Sequence, residues 1–147
     1  MIHTVAFKAE DLITLLEEGA SPELAGFLTY EAARQLESDR FVWTYVNEKG
    51  EIVACMGVRE YWPDRGEGWA VFHPELAGGS TFVALHRAMK KCVDSIDYRR
   101  LEATVDVSFK RGLRWAELLG FEKEGGVRPF FFPNSHSAQG YVKFNHV

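Results

Sequence analysis

The sequence predicts a mixed α/β fold, one mixed sheet flanked by helices, and three observations carry that expectation. An apolar strand at 69–72 breaks at His73-Pro74 into a small-residue turn, 76–80, that opens directly into an amphipathic helix over 81–95. The alternating strand RLEATVDV at 100–107 follows that helix, so the crossover places it parallel to the strand at 67–72, with a right-handed connection. The remaining segments read as antiparallel hairpins around this pair, in the order β-α-α-β-β-β-α-β-α-β-β. A chain of 147 residues makes a single domain, 1–147, long enough to bury a core.

Each element has its own signal. Residues 2–7 alternate and form a short strand. The stretch 9–18 places Leu12, Leu15 and Leu16 on one helical face behind an acidic first turn, and Gly19 stops it. Ser21 as N-cap and Pro22 at the first helical position restart a helix, with Leu24, Phe27, Leu28, Ala32 and Leu36 as its apolar stripe. FVWTYVN at 41–47 and EIVACMGVRE at 51–60 pair across the turn Glu48-Lys49-Gly50. Residues 62–66 form a loop before the strand at 67–72. The helix at 81–95 turns Phe82, Leu85, Met89 and Val93 inward. Ser108 caps a helix over 110–119 that Gly120 closes. A strand at 121–124, a Gly125-Gly126 interruption, an aromatic strand at 127–132 and a last strand at 139–145 make a C-terminal hairpin.

Composition narrows the function classes. A net charge of −4 disfavours nucleic acid as partner, although Arg87, Lys90 and Lys91 cluster locally. No Cys/His group has zinc spacing, so no metal site is expected. Cys55 and Cys92 read as two buried thiols of a reduced, cytoplasmic protein. The N-terminus lacks a signal peptide, and no apolar run approaches the ~18 residues of a membrane helix. The turn after the strand at 67–72 is the strongest chemical signal. A strand entering a helix through glycines leaves backbone N–H groups free where the helix dipole favours an anion.

The pieces AVFHPE and EATVDVSFKRGLRWAELLGFEKEG, at this separation and in this order of elements, resemble the GCN5-related N-acetyltransferase (GNAT) superfamily over nearly the whole chain. The resemblance implies acetyl-CoA as cosubstrate, held where the parallel strands splay apart. Its pantetheine would pair with the backbone of Ala70, Val71 and Phe72, and its pyrophosphate would sit on Ala77, Gly78, Gly79, Ser80 and Thr81. The family's loop Arg falls on Ala77, its last small loop residue on Phe82, its helix Asn on Phe109 and its tyrosine acid on Ala116. The segments WPDRGEGWAVFHPEL, LHRAMKK and GLRWAELLGFEKEG are also similar to a phage group with GNAT-like folds described as internal virion proteins. That likeness implies a host-cytoplasm or virion location. It also keeps open an alternative to an enzyme: an inactive, virion-associated binding or structural protein of this fold.

Acetylating an amine, on a small molecule or a protein, needs a base for the ammonium and an acid for the thiolate. The expected catalytic residues are Glu67, as base on its strand, and His73, as base or acid at the splay point. Each also has a bland reading, a solvated strand acid and a structural His. Glu60 can act through a water, and Asp106 has similar standing. His86 reads as packed or surface-exposed, and Tyr61 and Trp62 as packing or acceptor-pocket lining. Arg87, Lys90 and Lys91 can meet a 3′-phosphate or form a solvated face. The aromatic hairpin, with Tyr141 and Phe144, is core, acceptor groove or homodimer interface.

Overall fold

The computed structural model describes residues 1–24 and 26–145. Seven strands form one sheet: β1 (His3–Ala6), β2 (Phe41–Val46), β3 (Ile52–Trp62), β4 (Arg65–Phe72), β5 (Arg100–Asp106), β6 (Glu122–Lys123) and β7 (Ala138–Phe144). Their order across the sheet is β1-β2-β3-β4-β5-β7-β6. Every neighbouring pair is antiparallel except β4 and β5. The helices are α1 (Ala9–Glu17), α2 (Tyr30–Leu36), α3 (Ser80–Asp94) and α4 (Lys110–Leu118). The mixed α/β fold expected from the sequence, with its parallel central pair, is the fold observed.

Strand alternation divides the core in two. On one face, Val71 and Cys55 pack with Phe7, Leu12, Leu15 and Leu36 from α1, α2 and their flanks. On the other, Met56, Val58 and Leu101 pack with Leu85, Met89 and Val93 of α3 and Trp115 and Ala116 of α4. The result is a helix–sheet–helix sandwich. Gly57 is required where it stands. A Cβ there would come within 2.9 Å of the Trp69 ring, which lies across β3 at that point.

The sheet has a seam. β3 holds β4 along its whole length, to the pair Ala54–Phe72, and β7 holds β5 to the pair Asp106–Ala138. β4 and β5 pair with each other only over Arg65–Gly68 and Arg100–Ala103. Beyond Gly68 and Ala103 they diverge, so one backbone edge of 69–72 and one of 104–106 carry no ladder bonds to each other.

Three expectations fail. The helix expected from Ser21 is only a 3-10 turn, Pro22–Leu24, and Ala25 lies outside the described residues. Ser21 and Gly26 have φ of 49° and 80°, which no helix tolerates. The true start is Thr29, whose hydroxyl accepts the Ala32 N–H at 3.1 Å. Only Leu36 of the expected stripe is buried, and Phe27 is 62% exposed. Ser108 does not cap α4, because its hydroxyl donates to Asp106 and the N-cap is Phe109. The aromatic strand at 127–132 is a loop, with a single bridge from Arg128 to Ala138. Phe130, Asn134 and Ser135 have positive φ, and Phe130 is 77% exposed. The C-terminal hairpin therefore consists of β6 and β7, and the exposed rings of Phe130 and Phe131 are not core.

Candidate active site

The seam opens into a cavity of about 450 Å³. Its walls are largely apolar: Met56, Trp69, Ala70 and Phe72 from β3 and β4, Ala103 and Val105 from β5, and Trp115 and Ala116 from α4. Its two polar ends come from opposite sides of the sheet.

The first end is the β4–α3 turn, 73–79. His73 shapes it. Its Nδ1 accepts the N–H groups of Glu75 and Leu76 at 3.1 and 3.0 Å, which assigns its proton to Nε2, the nitrogen facing Glu18. The turn continues through Ala77, which is buried, and Gly78 to Gly79, whose φ of 62° ends it as the N-cap of α3. Gly79 has no side chain to satisfy the first turn, and that turn carries no acidic residue. Among the described residues, the N–H groups of Gly79, Ser80 and Thr81 take no protein acceptor, whereas Phe82 N–H closes on Gly79 at 3.1 Å. The free donors inferred from the glycine turn are present.

The second end lies beyond the C-terminal end of β5. Asp106 is 4% exposed and lines the cavity. Its carboxylate accepts the Ser108 N–H at 3.1 Å, the Ser108 hydroxyl at 3.0 Å and His136 Nδ1 at 2.7 Å. Glu23, on the 3-10 turn, lines the same wall. Burial first, and the Asp106 charge after it, hold the Glu23 carboxyl above the ordinary carboxylate range.

Glu67 stands between the two ends, on the α1/α2 face of the sheet with Glu102 and Thr104. Its Oε1 accepts the Tyr61 hydroxyl at 2.5 Å and its Oε2 the Thr104 hydroxyl at 2.8 Å. The bond to Glu67 pushes the Tyr61 phenol up to about 12. Thr104 lines the cavity and Glu67 lies one hydrogen bond behind it.

The other candidates fall elsewhere. Glu60 accepts the Tyr98 hydroxyl at 2.8 Å. His86 accepts the Trp115 indole N–H at 3.1 Å and stacks on Phe82, so it belongs to the α3–α4 packing. The Arg65 guanidinium lies over the rings of both Tyr61 and Trp62. Lys90 pairs with Asp94 on the outer face of α3. Cys55 and Cys92 are free thiols, and burial pushes Cys55 up to about 12. Among the described residues no group of His, Cys, Asp and Glu has the geometry of a metal site, and no helix is long and apolar enough to cross a membrane.

Glu23, His136 and Arg111 are the site residues that sequence reasoning missed. Glu23 and Arg111 line the cavity from a 3-10 turn and α4, His136 of the β6–β7 loop stands behind Asp106, and no local spacing connects the three. The Arg111 guanidinium bridges the N-terminal ends of the two helices over the turn. It donates to the Ala77 carbonyl at 3.4 Å and lies over the Phe82 ring, 5.2 Å from its centroid.

No family model matches the chain, and no curated protein matches it in sequence. Solved structures match it over its full length. The ribosomal-protein-S18-alanine N-acetyltransferase from Escherichia coli superposes with a TM-score of 0.77 at 13% identity, covering 100% of this chain and 96% of that one. The Salmonella typhimurium yncA protein, solved with its cofactor acetyl-CoA, gives 0.71 at 11%, covering 97% and 93%. An acetyltransferase of the GNAT family from Bacillus anthracis gives 0.66 at 16%, covering 97% and 94%. At these identities the likeness establishes the fold: this chain has the GNAT acetyltransferase fold.

Proposed function

We propose that the chain is an N-acetyltransferase that takes acetyl-CoA into the seam between β4 and β5 and passes the acetyl group to an amine. One observation carries this reading. The ladder stops at Gly68 and Ala103, and the gap becomes a cavity with donors at one end and carboxylates at the other. The chain fits the cosubstrate on its own terms. The unpaired edge of Ala70, Val71 and Phe72 offers backbone groups to pantetheine amides. The N–H groups of Gly79, Ser80 and Thr81 offer donors to a diphosphate, with Ala77 and Gly78 small enough to let it approach. A Cβ at Gly79 would meet nothing within 4 Å, so the turn is open on that side. The yncA neighbour, of the same fold, holds acetyl-CoA.

Bound acetyl-CoA would supply the thioester carbonyl that the amine attacks. The chain supplies the rest. Asp106 and Glu23 draw the acceptor, an ammonium in solution, to the far wall. The Thr104 hydroxyl takes one ammonium proton as it gives its own to Glu67, so the amine loses a proton and Glu67 gains one. Tyr61 holds the Glu67 carboxylate in place for that transfer. His73, tied to the turn through Nδ1, shapes the anion end rather than reaching the reacting atoms. Attack breaks the C–S bond, and the second nitrogen proton, released as the amide forms, passes through solvent at the cavity mouth to the leaving thiolate.

A second reading, binding without turnover, is favoured by one observation: buried Ala116 stands where the family carries its tyrosine acid, and no tyrosine lines the cavity among the described residues. Thermal unfolding with acetyl-CoA tests the site itself. Cosubstrate at 100 times its Kd stabilises the fold by roughly 2.7 kcal/mol. An unmoved transition at millimolar acetyl-CoA overturns both readings. CoA release on adding a panel of amines then separates transfer from binding alone.

A further inference from the structure

Taking the cavity as the acetyl-CoA site proposed above, and resting on that reading, we infer that Arg111 of α4 supplies the cationic contact to the cofactor's diphosphate that the β4–α3 turn itself lacks. Three independent features converge at this point.

The turn offers donors to an anion but no cationic side chain of its own: its ionised side chain is the exposed carboxylate of Glu75. The N–H groups of Gly79, Ser80 and Thr81 are unfilled at the start of a 15-residue helix whose first turn holds no basic side chain. N–H groups alone bind a diphosphate weakly in water, because the same groups are well hydrated when it is absent.

A guanidinium is held directly over this turn from a different element. The Arg111 nitrogens lie 3.6 and 3.9 Å from where a Cβ of Gly78 would sit. Among the described residues its one hydrogen bond is the 3.4 Å contact to the Ala77 carbonyl, and no carboxylate pairs with it. A cation with only a long bond to a neutral carbonyl gives up little when an anion replaces that partner. The five-donor fork of arginine can bridge two phosphate oxygens.

Phe82 explains how the cation stays in place. Its ring lies under the guanidinium, and His86 stacks on the same ring. The bulky residue at the helix start is therefore a platform for Arg111. Ala77, Phe82 and Arg111 act together: the charge leaves the turn, and the ring that holds it takes the place of a small residue.

Isothermal titration with CoA and with dephospho-CoA, which keeps the diphosphate and lacks the 3′-phosphate, tests this. Arg111→Ala should weaken both ligands equally, by about tenfold or more, equivalent to 1.4 kcal/mol or more. Arg111→Lys, a point charge without the fork, should fall between Arg111→Ala and wild type. The ligand-free unfolding midpoint of Arg111→Ala should stay within about 1 °C of wild type, since the side chain is exposed and its contacts are one long bond to a carbonyl and the Phe82 ring. A loss seen with CoA and absent with dephospho-CoA would assign Arg111 to the 3′-phosphate and overturn the proposal. A change below about twofold with both ligands would also overturn it. In either case normal wild-type binding leaves the acetyl-CoA reading standing. Wild-type protein that takes up neither ligand removes that reading, and the role of Arg111 with it.

Discussion

The two ends of the cavity are chemical opposites. At the α3 end, backbone donors and Arg111 face inward, and among the described residues neither Glu75 of the turn nor Glu18, paired with His73, lines the cavity. At the β5 end, Asp106 and Glu23 face inward, with His136 behind Asp106. The stretch between them is apolar, so each end keeps its field in a region that screens poorly. The difference gives the cavity a direction. On the proposed function, a ligand with a polyanionic tail and a partner bearing a positive charge would enter from opposite ends and bring their reactive atoms together near Thr104. The same polarity disfavours the reverse arrangement, because a diphosphate beside Asp106 would meet a buried like charge.

The largest effect that sharpens this contrast lies in the middle. Glu67→Gln should lower the rate of acetyl transfer by about 10²- to 10⁴-fold while leaving CoA affinity within twofold. Thr104→Val, which cuts the link between Glu67 and the cavity, should do nearly the same. Single-turnover kinetics with a fixed amine reads both, and an unchanged rate in either variant would remove Glu67 as base.

A smaller effect separates the ends. Asp106→Asn should raise the apparent KM for a cationic amine by about tenfold and leave the CoA Kd unchanged. It should also cost about 1–3 kcal/mol of stability, because His136 and both Ser108 donors lose a charged acceptor. A parallel loss of CoA affinity would show that the two ends are not independent.

The smallest effect is a pH dependence. Glu23 has a folded pKa above its unfolded value, so the folded chain binds that proton more tightly than the unfolded chain does. The resulting stability is present at low pH and is lost as pH rises from the unfolded value of 4.5 through the folded one. Glu23→Gln should therefore melt about 1–2 °C above wild type at pH 7 and level with it near pH 4. A gap that persists at pH 4 would place the cause in packing rather than in charge.

Most of the frame was legible in the sequence, and its errors have physical causes. α3, β5 and α4 announce themselves through period and glycine stops, and their packing agrees with those local signals. The second helix was misplaced because Ser21-Pro22 imitates a helix start; what decides there is the backbone of Ser21 and Gly26, whose positive φ no residue pattern declares. The RPFFF stretch has strong strand propensity, yet β7 pairs with β5 and the two residues of β6, which leaves the aromatic arm as an exposed loop. The glycine turn was readable because its donors are local. Arg111, Glu23 and His136 were not, because only the tertiary fold brings the first two to the cavity and the third to Asp106. Arg111 touches a carbonyl 34 positions earlier in the chain, and His136 touches a carboxylate 30 positions away.

The seam also divides the chain in time. β2, β3 and β4 form a meander whose neighbours in space are neighbours in sequence, so each turn closes at small entropic cost. The other half must first complete the α3 crossover, and then insert β7 between β5 and a strand of only two residues. Local pairings form faster than distant ones. In pulsed hydrogen exchange during refolding, the amides of β2 and β3 should gain protection before those of β5 and β7. The cavity would then be the last feature to take shape, assembled when the later half docks against the finished meander along four rungs.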